Sequence, residues 1–297
     1  MLSTNPCNLC PRQCGANRDI EKGRCGCGEK IKAARAALHF WEEPCISGSR
    51  GSGTVFFSGC TLQCCYCQNH EISHGGFGRE ISEERLAEVF LDLQAQGAHN
   101  INLVSATPYI PWVCRALEIA RPALHIPVVY NCGGYERTET IRALKGYVDI
   151  YLPDIKYFSA ELSQRYSGAA DYFEVASEAV REMVAQTGGL QYDSEGMLQK
   201  GVIVRHLVLP GARKDSIAIL QWMAENLPRD KFLLSLMSQY TPTARTKEFP
   251  EINRRITSME YDSVVAEAVR LGLTGGFMQQ RSSASEAFIP PFDLEGI

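Results

Sequence analysis

The chain has 297 residues and contains twelve cysteines, and nine of these cysteines fall into two short groups. One group lies within residues 7–27 and the other within residues 60–67. Disulfides are rare inside cells, where thiols stay reduced, and closely spaced thiols are then typical of metal ligation. The sequence therefore predicts two metal sites.

The second group contains Cys60, Cys64 and Cys67 in the spacing C-x3-C-x2-C, directly after an apolar run at 53–57. Three thiolates can bind three irons of a four-iron cluster and leave the fourth iron without a protein ligand. An open coordination position distinguishes a catalytic metal site from a closed structural one. The alternatives are a zinc site and a cysteine cluster in the core. The C-x3-C-x2-C spacing and its position after a predicted strand favour a catalytic 4Fe-4S cluster.

The first group contains Cys7, Cys10 and Cys14, with Cys25 or Cys27 available as a fourth ligand. A second 4Fe-4S cluster, a structural zinc ion and a mononuclear iron all use such ligands. The spacing predicts a second metal site but does not select the metal.

Apolar runs of strand length recur along the chain and alternate with amphipathic stretches, which is typical of βα units around a parallel sheet. The six runs are 53–57, 101–104, 127–130, 149–152, 201–209 and 231–237. Because eight units close a complete barrel, six units predict an α/β fold with a partial (β/α)6 barrel. We expect a small cysteine-rich metal-binding extension at 1–50, the barrel at 51–280 and a C-terminal tail at 281–297.

Helix-capping residues lie between these runs. We expect Ser82 to cap one helix, and the spacing of Thr257 and Glu260 predicts a reciprocal cap on another. Asp171 has a glutamate three residues later and is expected to cap a helix in the same way, and Asp215 is expected to open a further one.

Polar and charged side chains follow most of the predicted strands, at the end where barrel enzymes bind their ligands, and the fifth strand carries an arginine. We expect them to share one ligand site: Ser105, Thr107, Asn131, Asp154, Lys156 and Arg205. His206 alternates with Arg205 along its strand and is expected to face the other way, as a buried core histidine.

The segment GCTLQCCYCQN at 59–69 resembles the cluster loop of the radical S-adenosylmethionine superfamily, including the aromatic Tyr66 before the last cysteine. The segment VDIYLPDIK at 148–156 is similar to a strand of the pyruvate formate-lyase activating enzyme group within that superfamily. The resemblance implies two cofactors, a 4Fe-4S cluster and S-adenosylmethionine.

The resemblance also implies residue roles. Asp154 and Lys156 would lie at the S-adenosylmethionine carboxylate and a nearby cation site, Arg205 would contact the cofactor, and Asn69 would help to hold its nucleoside or methionyl end. One departure stands out, because the group carries a Gly-Gly-Glu stretch that binds the methionine amino group. Here Ser105 and Thr107 stand in its place, so hydroxyls or main-chain carbonyls would bind the amino group.

The implied reaction is reductive cleavage of S-adenosylmethionine to a 5′-deoxyadenosyl radical, which removes a hydrogen atom from the substrate. The implied partners are a low-potential electron donor of the flavodoxin or ferredoxin type and a glycyl radical enzyme that receives the radical. Two alternatives remain at this point: radical modification of a small molecule or peptide, and an iron–sulfur electron carrier or scaffold without turnover.

Charge and hydropathy restrict the remaining partners. The chain has 30 Lys and Arg against 34 Asp and Glu, a formal net charge of -4, so there is no broad basic surface for nucleic acid. No uninterrupted apolar run is long enough to span a bilayer, and the first residues do not have the pattern of a secretion signal. We therefore expect a cytoplasmic protein that binds neither nucleic acid nor membranes.

Overall fold

The computed structural model describes residues 2–279 and 290–297. The strands are β1 Ile31–His39, β2 Ser52–Phe57, β3 Arg79–Ile81, β4 Ile101–Val104, β5 Val128–Cys132, β6 Ile150–Pro153, β7 Gln191–Tyr192, β8 Leu198–Leu207, β9 Leu233–Met237 and β10 Gly276–Met278. The helices are α1 Pro44–Ser47, α2 His70–Ser73, α3 Glu83–Ala95, α4 Ile110–Ala120, α5 Thr138–Ala143, α6 Ala160–Ser167, α7 Tyr172–Thr187, α8 Arg213–Asn226 and α9 Ser258–Arg270.

One sheet organises the fold, in the order β10-β9-β8-β6-β5-β4-β2-β1-β3, with β7 paired to β8. Neighbours from β2 to β10 on this path are parallel, whereas β1 pairs antiparallel with both β2 and β3. Each of the six predicted apolar runs overlaps one of the parallel strands. The predicted α/β fold with a partial barrel is confirmed.

The capping predictions have mixed outcomes. Ser82 accepts a hydrogen bond from the backbone of Arg85 at the start of α3, and Thr257 and Glu260 cap α9 reciprocally. Asp171 precedes α7 without capping it, because its carboxylate accepts a hydrogen bond from the Tyr135 hydroxyl at 2.7 Å. That part of the prediction is wrong.

Asp215 lies inside the first turn of α8, two residues after the helix begins at Arg213. Its carboxylate accepts hydrogen bonds from the backbone N–H groups of Phe158, at 2.9 Å, and Ser159, at 2.6 Å. The prediction that Asp215 opens α8 is therefore wrong. Asp215 instead joins α8 to the loop after β6.

β1 was not among the predicted strands, and it lies within the range predicted as the extension. Its antiparallel pairing with β2 extends from Ala33 opposite Phe57 to His39 opposite Ser52. Residues 31–39 are therefore part of the sheet that carries the barrel strands.

Residues 290–297, the described part of the predicted tail, lie along β1. The Leu294 N–H donates to the Ala34 carbonyl at 3.0 Å, and the Ala36 N–H donates to the Glu295 carbonyl at 2.8 Å. Positions 281–289 of that tail lie outside the described residues. No helix in the described part of the chain is both long and apolar enough to cross a membrane.

Candidate active site

The cysteine loop begins where β2 ends, and its backbone is bonded at several points. The Gly59 N–H donates to the Ile72 carbonyl at 2.9 Å, and Gly59 has a φ of 85°, which favours glycine. Further along, the Cys67 N–H donates to the Cys64 carbonyl at 3.1 Å, and the Cys65 N–H donates to the carbonyl of Tyr166 in α6 at 2.8 Å. The loop is thus hydrogen-bonded internally and to helices α2 and α6.

The barrel encloses a cavity of about 250 Å³ beneath this loop. Nearly all the predicted site residues line it, namely Cys60, Cys64, Tyr66, Cys67, Asn69, Ser105, Asn131, Asp154, Lys156 and Arg205. Cys65 is not among the lining residues, although it lies in the same loop. The structure therefore brings together residues that are up to 145 positions apart in sequence, from Cys60 to Arg205.

The three lining thiols fit an iron–sulfur cluster chemically. Burial, with the neighbouring thiols of Cys67 and Cys64, raises the pKa of Cys60 to about 12. Burial also raises the pKa of Cys67, so thiolates at these two positions require a cationic centre such as iron. Two sulfurs already accept hydrogen bonds, from the Ser73 hydroxyl to Cys67 at 3.3 Å and from the Leu62 N–H to Cys60 at 3.4 Å, and such bonds orient metal ligands.

Asp154 is the centre of a charged network beside these thiols. Its Oδ1 accepts from Arg205 Nε at 2.9 Å, and its Oδ2 accepts from Lys156 Nζ. Burial opposes ionisation of Asp154, but the Lys156 and Arg205 cations hold its pKa below the usual value. The carboxylate is therefore ionised and fixes both cations in place.

Glu42 completes the network and was not among the predicted site residues. It follows β1, and its Oε2 lies 3.1 Å from Arg205 Nη1, while its Oε1 accepts from the side-chain amides of Asn102 at 3.0 Å and Asn131 at 3.1 Å. Asn131 Oδ1 in turn accepts from Arg205 Nη2 at 2.6 Å. The cavity thus holds a second carboxylate, supplied from the N-terminal part of the chain.

Ser105 and Thr107 have different positions, although we predicted the same role for both. Ser105 lines the cavity and has a positive φ of 61°. Thr107 is buried elsewhere, with its hydroxyl donating to Glu136 Oε1 at 2.8 Å and lying 3.0 Å from the Tyr130 hydroxyl. Those bonds occupy the hydroxyl, and Thr107 is not among the residues that line the cavity, so the geometry does not support its predicted contact with the cofactor.

His206 faces away from the cavity, as predicted from its alternation with Arg205. Its Nδ1 lies 2.6 Å from the Ile155 carbonyl and its Nε2 lies 2.8 Å from the Ser216 hydroxyl. Burial lowers the pKa of His206 to about 4, so the ring is neutral. The prediction of a buried core histidine is confirmed.

The thiols of the N-terminal group do not line this cavity. Cys7, Cys10, Cys25 and Cys27 are buried, and Cys14 is exposed. Across residues 2–279 and 290–297, no three His, Cys, Asp or Glu side chains are arranged as ligands of a metal ion. Cys60, Cys64 and Cys67 are likewise not arranged around a single ion. The ligands of a 4Fe-4S cluster bind different irons, so the cluster sets their spacing.

Comparison with known proteins identifies the family. The Radical SAM superfamily matches residues 54–188, which contain the cysteine loop and strands β4 to β6. The chain is 30% identical over 277 residues to the uncharacterized protein MJ0674 of Methanocaldococcus jannaschii, a match that covers 90% of this chain and 75% of that protein.

Solved structures agree with this at the level of the fold. The chain is similar to the FeFe-hydrogenase maturase HydG from Carboxydothermus hydrogenoformans, with a TM-score of 0.52 and 13% identity. The match covers 80% of this chain and 56% of HydG, so this chain corresponds to little more than half of that enzyme. The chain therefore belongs to the radical SAM superfamily, whose cofactors are a 4Fe-4S cluster and S-adenosylmethionine.

Proposed function

We propose that Cys60, Cys64 and Cys67 bind the 4Fe-4S cluster and that the adjoining cavity binds S-adenosylmethionine. One observation carries the proposal: three thiols and a network of four charged side chains line the same buried cavity. The bound cluster and cofactor supply a 5′-deoxyadenosyl radical for hydrogen abstraction. The protein supplies binding, orientation and exclusion of water.

The charged network suits the two charged groups of the methionyl moiety. Lys156 and Arg205 are fixed cations that bind a carboxylate, and Asp154 holds both in position. Glu42 is an anion in the same cavity, and we assign it to the methionyl amino group. It would then perform the task that the resembling group gives to its Gly-Gly-Glu stretch.

Three uncharged residues complete the cofactor site in this proposal. Tyr66 is buried against Tyr157, Tyr166 and Tyr240, so its position is fixed by aromatic packing. Asn69 and Ser105 offer an amide and a hydroxyl to the cavity, where they would bind the nucleoside or methionyl end.

We further propose that the substrate is a protein, as in the pyruvate formate-lyase activating enzyme group that the sequence resembles. Trp41, which lines the cavity, is 61% exposed, and exposed aromatic residues are typical of binding hot spots.

Radical SAM enzymes need a reductant, and we propose a low-potential donor of the flavodoxin or ferredoxin type in the cytoplasm. The donor would deliver one electron to the cluster for each cofactor molecule cleaved. Reduction by purified flavodoxin or ferredoxin, measured as loss of the oxidised cluster absorbance, would test this assignment directly.

The substrate proposal is tested with extract of the source cell, separated by gel filtration into a protein fraction and a small-molecule fraction. Each fraction is incubated anaerobically with reduced enzyme and S-adenosylmethionine, and the Cys64→Ala variant serves as the control. We expect the protein fraction to increase 5′-deoxyadenosine formation and to give a glycyl radical signal by electron paramagnetic resonance. Stimulation by the small-molecule fraction alone, with no protein radical, would contradict the proposal.

A further inference from the structure

The N-terminal cysteines form a compact unit that the radical chemistry does not use. We propose that Cys7, Cys10, Cys14 and Cys25 form a second, closed metal site, in which four thiolates bind one thiophilic centre. Zinc and an iron–sulfur cluster share this ligand chemistry, and either centre would draw the four thiols together, since they are not arranged around a single ion in the described structure. The inference is independent of the substrate proposed above.

A tight turn brings the first three of these cysteines together. The Gln13 N–H donates to the Cys10 carbonyl at 3.0 Å, which places Cys10 and Cys14 on the two sides of a turn. Cys7 lies opposite the end of this turn, since its N–H donates to the Ala16 carbonyl at 2.9 Å and its carbonyl accepts from the Gly15 N–H at 3.2 Å.

Gly23 connects this turn to the fourth ligand. A Cβ atom at Gly23 would lie 3.4 Å from Cys14 Sγ and 3.5 Å from Cys25 Sγ, so both sulfurs border the same small space. The Gly26 N–H donates to the Gly23 carbonyl at 2.9 Å, and this second turn directs Cys25 toward the first three cysteines. The absence of a side chain at Gly23 leaves room for a metal centre between the two turns.

Cys27, the other available ligand, packs against the backbone of Cys25, with its Sγ 3.6 Å from the Cys25 carbonyl. Its Sγ lies 3.5 Å from the Ser58 carbonyl, at the end of β2, and a Cβ atom at Gly59 would lie 2.2 Å from that sulfur. Cys27 is therefore packed beneath the start of the cysteine loop. Of the two cysteines, Cys25 is the one whose sulfur borders the space at Gly23, so we assign Cys25 as the fourth ligand.

The proposed site is bonded to the cysteine loop through the backbone. The Cys60 N–H donates to the Cys25 carbonyl at 3.3 Å, so a ligand of one centre is paired with a ligand of the other. Arg12, which lies between Cys10 and Cys14, donates from Nε to the Thr61 carbonyl at 3.0 Å and from Nη2 to the Ser167 carbonyl at 2.8 Å. A metal that fixes the first turn would also hold Arg12 and the loop, so the second site supports the first.

The test uses the full chain with Cys60, Cys64 and Cys67 replaced by alanine, because any remaining metal then lies outside the radical site. Elemental analysis of this triple variant after anaerobic purification should find either about one zinc or about four irons per chain. Iron would come with acid-labile sulfide, which separates the cluster from a zinc ion. Adding Cys25→Ser should reduce the metal content at least about tenfold, whereas adding the matched Cys27→Ser should leave it unchanged.

A cobalt titration tests the same ligands without relying on the metal acquired in the cell. The metal-free triple variant should show thiolate-to-cobalt charge-transfer absorbance that saturates at about one equivalent, and Cys25→Ser should abolish it. Far-UV circular dichroism confirms that each variant is folded. The proposal is overturned if the folded triple variant binds neither zinc, iron nor cobalt, or if Cys27→Ser removes as much metal as Cys25→Ser.

Discussion

Glu42 and Arg205 lie 3.1 Å apart between Oε2 and Nη1, although four strands separate β1 from β8 in the sheet. The side chains are 11% and 13% exposed. A flat sheet would hold these residues far apart, so their contact shows that the sheet curves around the cavity. The pair joins the two halves of the partial barrel across its interior.

Removal of Glu42 should therefore destabilise the protein. Glu42→Ala leaves the buried Arg205 with one carboxylate partner fewer, and breaking such a pair costs about 3 kcal/mol of unfolding free energy. The matched control is Glu195→Ala, which breaks the exposed ion pair with Arg50, at 58% and 50% exposure, and should cost less than about 1 kcal/mol. Urea unfolding measures both, and equal losses would show that the Glu42 pair has no special role.

Ser105 and Thr107 should respond in opposite ways to substitution. Ser105→Gly should stabilise the protein by about 1 kcal/mol, because glycine adopts the positive φ of 61° without strain. The same change removes a cavity hydroxyl and should weaken S-adenosylmethionine binding several-fold.

Thr107→Val is the comparison for that experiment. It removes the bond to Glu136 and should destabilise the protein by about 1–3 kcal/mol while the cofactor affinity stays the same. Calorimetric titration of the reconstituted enzymes gives the affinities. Weaker binding in Thr107→Val with no change in Ser105→Gly would reverse our assignment.

Glu136 should give the protein a pH-dependent stability. Burial raises its pKa from 4.5 to about 8, although bonds from Thr107 and Tyr130 oppose the rise. Because the folded value is the higher one, the contribution of protonated Glu136 is complete below the unfolded pKa and is lost as the pH rises through about 8.

Glu136→Gln cannot ionise. Between about pH 6 and pH 9 its unfolding free energy should therefore fall by about 2 kcal/mol less than that of the parent protein. Glu139→Gln, at an exposed carboxylate in the same segment, should keep the parent pH profile. Thermal unfolding at each pH measures the difference, and identical profiles for all three proteins would show that Glu136 is ionised throughout.

The sequence predicts the central strands because they are buried on both faces and therefore apolar without interruption. β4, with the sequence INLV, is an example, and its predicted bounds match the structure. β1 has no such pattern, since IKAARAALH combines alanines with charged residues. Its pairing with β2 and β3 makes it a strand, and that long-range interaction has no local signal.

The candidate site likewise contains residues that the sequence identifies and residues that only the fold brings to the cavity. Cys60, Cys64 and Cys67 are recognisable because their spacing is local. Asp154 is recognisable because it follows a strong strand, and Arg205 because it lies within one. Glu42 lies in the segment FWEEP, where a glutamate suggests an exposed surface, and only the curvature of the sheet places it in the cavity. The exclusion of Thr107 likewise depends on Glu136, a partner 29 residues away.

The most direct test of the central claim is the yield of 5′-deoxyadenosine from the reconstituted, reduced enzyme and S-adenosylmethionine. We expect the parent protein to form it, and Cys60→Ala, Cys64→Ala and Cys67→Ala each to reduce the yield at least about 100-fold, because each removes a ligand of the cluster. Cys65→Ala, in the same loop but outside the cavity lining, should retain the parent yield within about threefold. Normal product formation by any of the first three variants, or its equal loss in Cys65→Ala, would contradict the assignment of the cluster ligands.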